Sequence, residues 1–183
     1  RIEVIKKILK EFEKEIFLIK NKDDLRKTEI FKKKIIFCLH DKMVKKTSYI
    51  LNFENNFKFL SKSCFNLSCP GVVMPLSHHL IEGIKVGSIP ITNCDELLNP
   101  NLNKKNSLQY SSLEDLLVKI KKALEMENDE ILFMRQNVLD YYKSYLSPEY
   151  FAQNFKKLIL KNEKRIICCD DHRSVNKLLH NAN

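Results

Sequence analysis

Two histidines and a glutamate stand close together in the stretch PGVVMPLSHHLIEGIKVGSIPITNCDELLNP, residues 70–100: His78, His79 and Glu82. Side chains of these types can ligate a metal, pass protons or hold a polar ligand. The spacing argues against a metal. Neighbouring residues on a helix point about 100° apart, so the two imidazoles do not converge on one ion, and no HExxH pattern surrounds them. A carboxylate is a pure acceptor and can bind both hydroxyls of a ribose. Glu82 suits that role if it faces the carboxyl edge of a sheet. One of the histidines then serves as cation or donor toward an anion held at the helix start. Without a ligand, the same residues are surface groups of an ordinary helix, and spacing alone leaves both readings open. Asp95 and Glu96 follow the next apolar segment and border the same crevice, either positioning a substrate or starting a turn.

Two other constellations yield no catalytic residue. Cys168, Cys169, Asp170, Asp171 and His172 are reactive types, but no helical or strand spacing turns them into a nucleophile and its base. Asp129 and Glu130 adjoin at an expected helix start, where the helix dipole favours acidic residues anyway. Cys38, Cys64, Cys69 and Cys94 match no zinc spacing, and all six cysteines read as buried or incidental thiols. Such usage suits a reducing compartment, with a lumenal one as the alternative. The catalytic residues stay unassigned.

The elements that must position these residues follow from hydrophobic periodicity. IEVIKKILKEFEKEIFL, residues 2–18, repeats apolar positions at helical spacing and predicts one helix. Residues 21–29 are polar and read as a loop or a short helix. KKIIFCLH, ending at His40, and SYILNFE, residues 48–54, read as short strands covered on both faces. CFNLS, residues 64–68, is strand-like and stops at Cys69-Pro70-Gly71. A helix is expected from Ser77, whose hydroxyl can cap the first-turn amides, to Val86. Leu80, Ile81 and Ile84 make its inward stripe, while His78, Glu82 and Lys85 share another face. Gly87 ends this helix and Ile89-Pro90-Ile91-Thr92 enters the next strand, which completes a β-α-β crossover. LQY, residues 108–110, is one more short strand. Ser112 with Asp115 resembles a capping box that opens a helix to Glu125. Further helices are expected over 129–145 and from Ser147-Pro148 to Lys161.

This order predicts an α/β fold, a Rossmann-like parallel sheet flanked by helices with a helical C-terminal region. One domain is expected over 1–165, followed by a tail at 166–183. In open parallel sheets, ligands sit beyond the carboxyl ends of the strands, near helix N-termini. The turn over 77–80 then offers unpaired amides to an anion such as a diphosphate.

Composition sets outer bounds. The 183 residues are 44% apolar and 30% charged, an ordinary balance for one domain with a real core. No run of about eighteen apolar residues predicts a membrane-spanning helix. Most of the net charge of +9 lies in residues 1–63, which hold 17 basic and 9 acidic groups. Such a front can face RNA or an anionic membrane surface, or simply be solvated. No finger, aromatic-interleaved basic module or glycine loop makes it a specific nucleic-acid motif. The alternative function carried by this charge is a non-catalytic basic module docking on RNA or an anionic membrane surface.

The central stretch SKSCFNLSCPGVVMPLSHHLIEGIKVGSIPI resembles the donor-binding segment of inverting glycosyltransferases of the two-Rossmann-domain (GT-B) type, in their exostosin-like and fucosyltransferase-like groups. Ser61-Lys62-Ser63-Cys64-Phe65 opens the pattern, Pro70 and Gly71 match its loop, and Ser77 its helix start. Glu82-Gly83 matches the acidic-small pair, Gly87 with Ile89-Pro90-Ile91 the closing turn, and Asp95 the acidic position after the strand. The runs Leu113 to Leu124 and Met134 to Tyr142 resemble the helices that follow. The usual basic residue two positions after the serine is His79 here. The resemblance implies the C-terminal half of a GT-B fold, with Ser77, Gly71 and neighbouring amides around the diphosphate, Glu82 on the ribose, and His78, His79 and Asp95 bordering the donor. It implies transfer with inversion from a nucleotide sugar to a glycan or lipid-linked acceptor, with no cofactor and no metal required. The chain begins with Arg1 and is too short for a full second domain, so a fragment of a two-domain enzyme is expected, its base elsewhere. A cytoplasmic site is implied, or a peripheral membrane one through the basic N-terminal part, or the Golgi lumen for a eukaryotic exostosin-like enzyme.

Overall fold

The computed structural model describes residues 2–28, 33–38, 52–69 and 77–160. Over these, the chain is a small α/β fold of short parallel strands flanked by helices. It opens with α1 (Ile2–Glu11), a turn over 12–15 and β1 (Ile16–Leu18), so the single helix expected over 2–18 is divided. Ile16 to Ile19 are four apolar residues in a row. A helix would spread them round its circumference, whereas a parallel strand can bury both its faces. β1 pairs in parallel with β2 (Ile35–Phe37), Ile16 opposite Ile35 and Leu18 opposite Phe37. Between them lies α2 (Lys22–Lys27), whose N-cap Asn21 accepts from the amides of Asp23 and Asp24. His40, the expected end of the second of these strands, lies outside the described residues.

The strand expected over 48–54 is corrected where its end is described. Asn52 is an N-cap that accepts from the Asn55 amide at 2.9 Å, and α3 runs Phe53–Lys62. An asparagine that satisfies an orphan amide favours starting a helix over continuing a strand. Arg135 closes the far end of α3, donating to the carbonyls of Ser63 at 2.8 Å and Ser61 at 3.0 Å.

The central unit follows the sequence pattern. β3 (Phe65–Ser68), α4 (His78–Lys85) and β4 (Ile89–Thr92) form a β-α-β unit, with Phe65 opposite Ile89 and Ser68 opposite Thr92 in a parallel pair. β5 (Leu108–Gln109) adds in parallel on the other side of β4, giving the order β3-β4-β5. All four residues of β4 are buried, as a central parallel strand requires. Two glycines let α4 sit close. Gly83 lies under the buried Asn66 of β3, whose Nδ2 donates to Ser68 Oγ at 2.9 Å and to the His79 carbonyl at 3.2 Å. Gly87 ends α4 at φ +74, a left-handed turn that favours glycine, and packs against Leu139.

Three more helices follow among the described residues. In α5 (Leu113–Glu125) the Ser112 hydroxyl accepts from the Asp115 amide at 3.1 Å, while the Asp115 carboxylate returns to the amide of Ser111 at 3.0 Å rather than to that of Ser112. The helix expected over 129–145 is α6 (Asn128–Tyr141) followed by a π turn, Tyr142–Leu146. α7 (Pro148–Leu160) starts at Ser147, which accepts from the Tyr150 amide at 3.1 Å. Residues 161–183, with the Cys168–His172 cluster, lie outside the described residues. The core joins Ile8 and Phe12 of α1, Leu80 and Ile84 of α4, Ile89 and Ile91 of β4, Leu116 and Ile120 of α5, and Met134 and Val138 of α6. α4 packs with α3 and α6, while α5 packs with α1, where Lys7 and Glu114 pair at 2.6 Å. No described helix is long and apolar enough to cross a membrane.

Candidate functional site

Parallel strands end at a common edge, and the residues just beyond them meet there. Ser68 pairs with Thr92 and Thr92 with Gln109, so Cys69, Asn93 and Tyr110 follow as a row across three strands. This row lines a cavity of about 340 Å³, together with Ser111 and Ser112 before α5, Leu113 and Leu116 within it, and Val4 of α1. Burial pushes the Tyr110 hydroxyl up to about 12, with the thiols of Cys69 and Cys94 adding to the shift. It therefore stays protonated near neutrality and can both donate and accept. Burial also pushes the Cys94 thiol up, against a hydrogen bond with Thr92 and with the nearby Asp95 carboxylate adding.

The Tyr110 shift has a pH consequence with a fixed sign. Its folded pKa lies above the ordinary tyrosine value of 10.0, so its contribution to stability is complete below about pH 10 and falls away as pH rises toward about 12. Tyr110→Phe should flatten that part of the alkaline decline. Denaturant midpoints of both chains across this window provide the check, and parallel curves would refute the assignment.

The helix start nominated by the sequence lies beyond the carboxyl end of β3. Ser77 occupies the N-cap of α4 with extended backbone, but its side chain makes no cap bond, a correction to its expected role. The helices α2, α3 and α5 have their first amides taken by Asn21, Asn52 and Ser112. At α4 the Leu80 amide donates to the Ser77 carbonyl at 3.0 Å, and among the described residues the amides of His78 and His79 have no side-chain cap, which leaves them and the Ser77 hydroxyl for another acceptor. The α5 start, at the same edge, is filled by Ser112 and by the Asp115 carboxylate, which would repel an anion.

Glu82 is 23% exposed and turns toward α3, where its Oε2 accepts from Asn56 Nδ2 at 3.0 Å. His79 Nδ1 lies 3.7 Å from the same oxygen, within ion-pair range when the imidazole is protonated. Lys85 follows on that side, its Nζ 5.3 Å from the centre of the Phe57 ring. His78, Glu82 and Lys85 stand at the i, i+4 and i+7 positions of α4, the one face expected for them. α3 draws Glu82 and Lys85 by offering an amide and an aromatic ring, while His78 is exposed. Asp95 opens a 3-10 turn (Asp95–Leu97) just past β4 and is half-buried. Gly71 lies outside the described residues.

None of the nominated residues Ser77, His78, His79, Glu82 and Asp95 therefore lines the cavity, and Glu82 lies a turn inside α4 against α3. The row Cys69, Asn93 and Tyr110 was not singled out from the sequence as a site. Its signal is positional, one residue beyond each parallel strand, and it emerges only once the register is known. Among the described residues, no three His, Cys, Asp or Glu group to hold a metal ion. No protein-family model matches the chain, and no curated protein or solved structure is significantly similar to it.

Proposed function

We propose that the chain is the donor-binding half of a glycosyltransferase of the two-Rossmann-domain type, which takes a nucleotide sugar and serves transfer to a glycan or lipid-linked acceptor. The observation that carries this reading is the start of α4. Its first turn opens beyond the carboxyl end of a parallel strand without a side-chain cap, and a carboxylate stands one turn further on. Uncapped amides at the positive end of a helix suit a diphosphate. Asn56 holds one oxygen of Glu82, which orients the carboxylate, and Oε1 has no hydrogen-bond partner among the described residues. That oxygen is the acceptor for ribose hydroxyls. The Ser77 hydroxyl and the His79 imidazole flank the phosphates. The polar rim of Asn93, Ser111 and Ser112 stands at the same edge, one strand over, and extends the surface toward the rest of the donor.

The test is thermal unfolding of the chain with UDP, GDP, ADP, CMP and their sugars, beside Glu82→Ala. A nucleoside diphosphate at a hundredfold its Kd should stabilise by about 2.7 kcal/mol. The variant should bind about ten- to a hundredfold more weakly, the worth of hydrogen bonds to a charged acceptor. Equal stabilisation of both chains removes Glu82 from the ribose. No stabilisation by any of them overturns the donor reading, and steeply salt-dependent binding to polyanions would then favour the basic N-terminal surface.

A further inference from the structure

Gly87, just before β4, packs against Leu139, so the C-terminal end of α6 lies at the amino edge of the sheet. That edge is remote from the strand ends described above. A second cavity of about 260 Å³ opens there, between the loop over 98–107 and the last turn of α6 with the π turn behind it. Its lining is polar and balanced in charge, unlike that of a site for an apolar molecule. Asn101, Asn103, Asn106 and Asn137 supply amides, Lys105 an ammonium, Asp140 a carboxylate and Tyr145 an aromatic ring.

The groups facing this cavity are both fixed and unspent. Leu98 and Leu102 anchor the loop in the core, the Tyr141 hydroxyl donates to the Pro100 carbonyl, and Gln109 Nε2 donates to the Leu102 carbonyl at 2.7 Å. Asn106 is only 4% exposed. Its Oδ1 accepts from the Asn103 amide at 2.8 Å, and its Nδ2 has no hydrogen-bond partner among the described residues. Water at the cavity can accept from this nitrogen, and a ligand oxygen can take its place. Asn137 uses its Nδ2 on the Phe133 carbonyl at 2.7 Å, and Asp140 uses Oδ1 on Gln136 Nε2 at 2.9 Å. Asn137 Oδ1 and Asp140 Oδ2 are left as acceptors, with no partner among the described residues. Tyr145 is 39% exposed and is steadied by the rings of Tyr141, at 5.1 Å, and Tyr150, at 5.9 Å.

We infer that this cavity binds a neutral carbohydrate, one sugar ring of a glycan. Hydroxyls donate and accept in alternation, which matches amides that offer both functions and a carboxylate that accepts. The C–H face of a pyranose carries slight positive charge and lies favourably against the negative face of a tyrosine ring. Lys105 and Asp140 offset each other in charge, which suits a neutral ligand better than an anion. The site is smaller than a typical drug-sized pocket, and one ring fills it. The inference stands on this cavity's own chemistry and does not depend on donor binding at the opposite edge.

The experiment is amide NMR titration of the chain with the methyl glycosides of glucose, galactose, mannose, fucose and N-acetylglucosamine. At least one should give saturable shifts over residues 101–106 and 137–145, unchanged by added UDP. Tyr145→Ala and Asn101→Ala, both at exposed positions, should each weaken that binding about tenfold or more, equivalent to about 1.4 kcal/mol, with spectra that are otherwise native. No saturable shift with any glycoside up to its solubility limit overturns the proposal. So do shifts confined to the residues around Tyr110 and α4, or equal binding by the variants. Because donor binding is read at Glu82 and the glycan site at Tyr145, failure of one leaves the other measurable.

Discussion

Leu116→Ala should lower the folding stability by about 2–5 kcal/mol, the range for a fully buried leucine cut back to alanine. Leu116 is 0% exposed, packs from α5 toward β4, and at the same time lines the cavity at the carboxyl edge. Where the neighbours of a deleted side chain can collapse, the loss is at the low end. Here one side already faces open space, so the new void joins the cavity instead of closing. Val118, two residues along α5 and 62% exposed, is the control, and Val118→Ala should stay within about 0.5 kcal/mol. Urea midpoints of the three chains at equal slope decide the matter. A loss for Leu116→Ala no larger than that of the control would mean that α5 does not seal the core as described.

Gly83→Ala should be destabilising even though alanine is the better helix former. Replacing a mid-helix glycine gains about 1 kcal/mol in helix propensity. The added Cβ, however, would fall 2.5 Å from Asn66 Oδ1 and 2.7 Å from its Nδ2. Asn66 is short, buried and tied to Ser68 and to the His79 carbonyl, so it cannot swing aside without breaking both bonds. Overpacking of about 1–3 kcal/mol, with about 1 kcal/mol for each bond lost, outweighs the propensity gain. The sign should reverse when Asn66 is already alanine, because the obstacle is gone and the propensity gain remains. A double-mutant cycle isolates this, with an expected coupling of at least about 1 kcal/mol. Equal losses in both backgrounds would show that the close approach of α4 to β3 is not what requires Gly83.

Much of the central unit was legible because its signals are local. Ile89-Pro90-Ile91-Thr92 is a short apolar run bounded by Gly87, and Ser112 announces α5 by a hydroxyl three residues ahead of the amide it accepts from. The N-terminal part was misread where the deciding contact is distant. Ile16 to Leu18 fit the tail of an amphipathic helix until Ile35 to Phe37 arrive to pair with them. Asn52 sits inside a strand-like composition, yet its side chain commits the backbone to a helix. The candidate site divides in the same way. The start of α4 follows from strand, serine and glycine in order. The orientation of Glu82 depends on Asn56, which lies 26 residues earlier in the chain. The second cavity depends on a loop and a helix end whose neighbourhood no periodicity encodes.

The bonds from Arg135 have a further consequence when taken with the packing at Gly87. Through Arg135, α6 holds the chain just before β3, and through Leu139 it holds the chain just before β4. The Ile89 amide, which donates to the Cys64 carbonyl at 2.8 Å, lies between these two fastenings. Fraying of β3 or β4 from its amino end therefore requires α6 to lift as well. This end of the sheet opens as one cooperative unit rather than strand by strand, which places it among the last parts of the molecule to exchange its amide hydrogens with solvent.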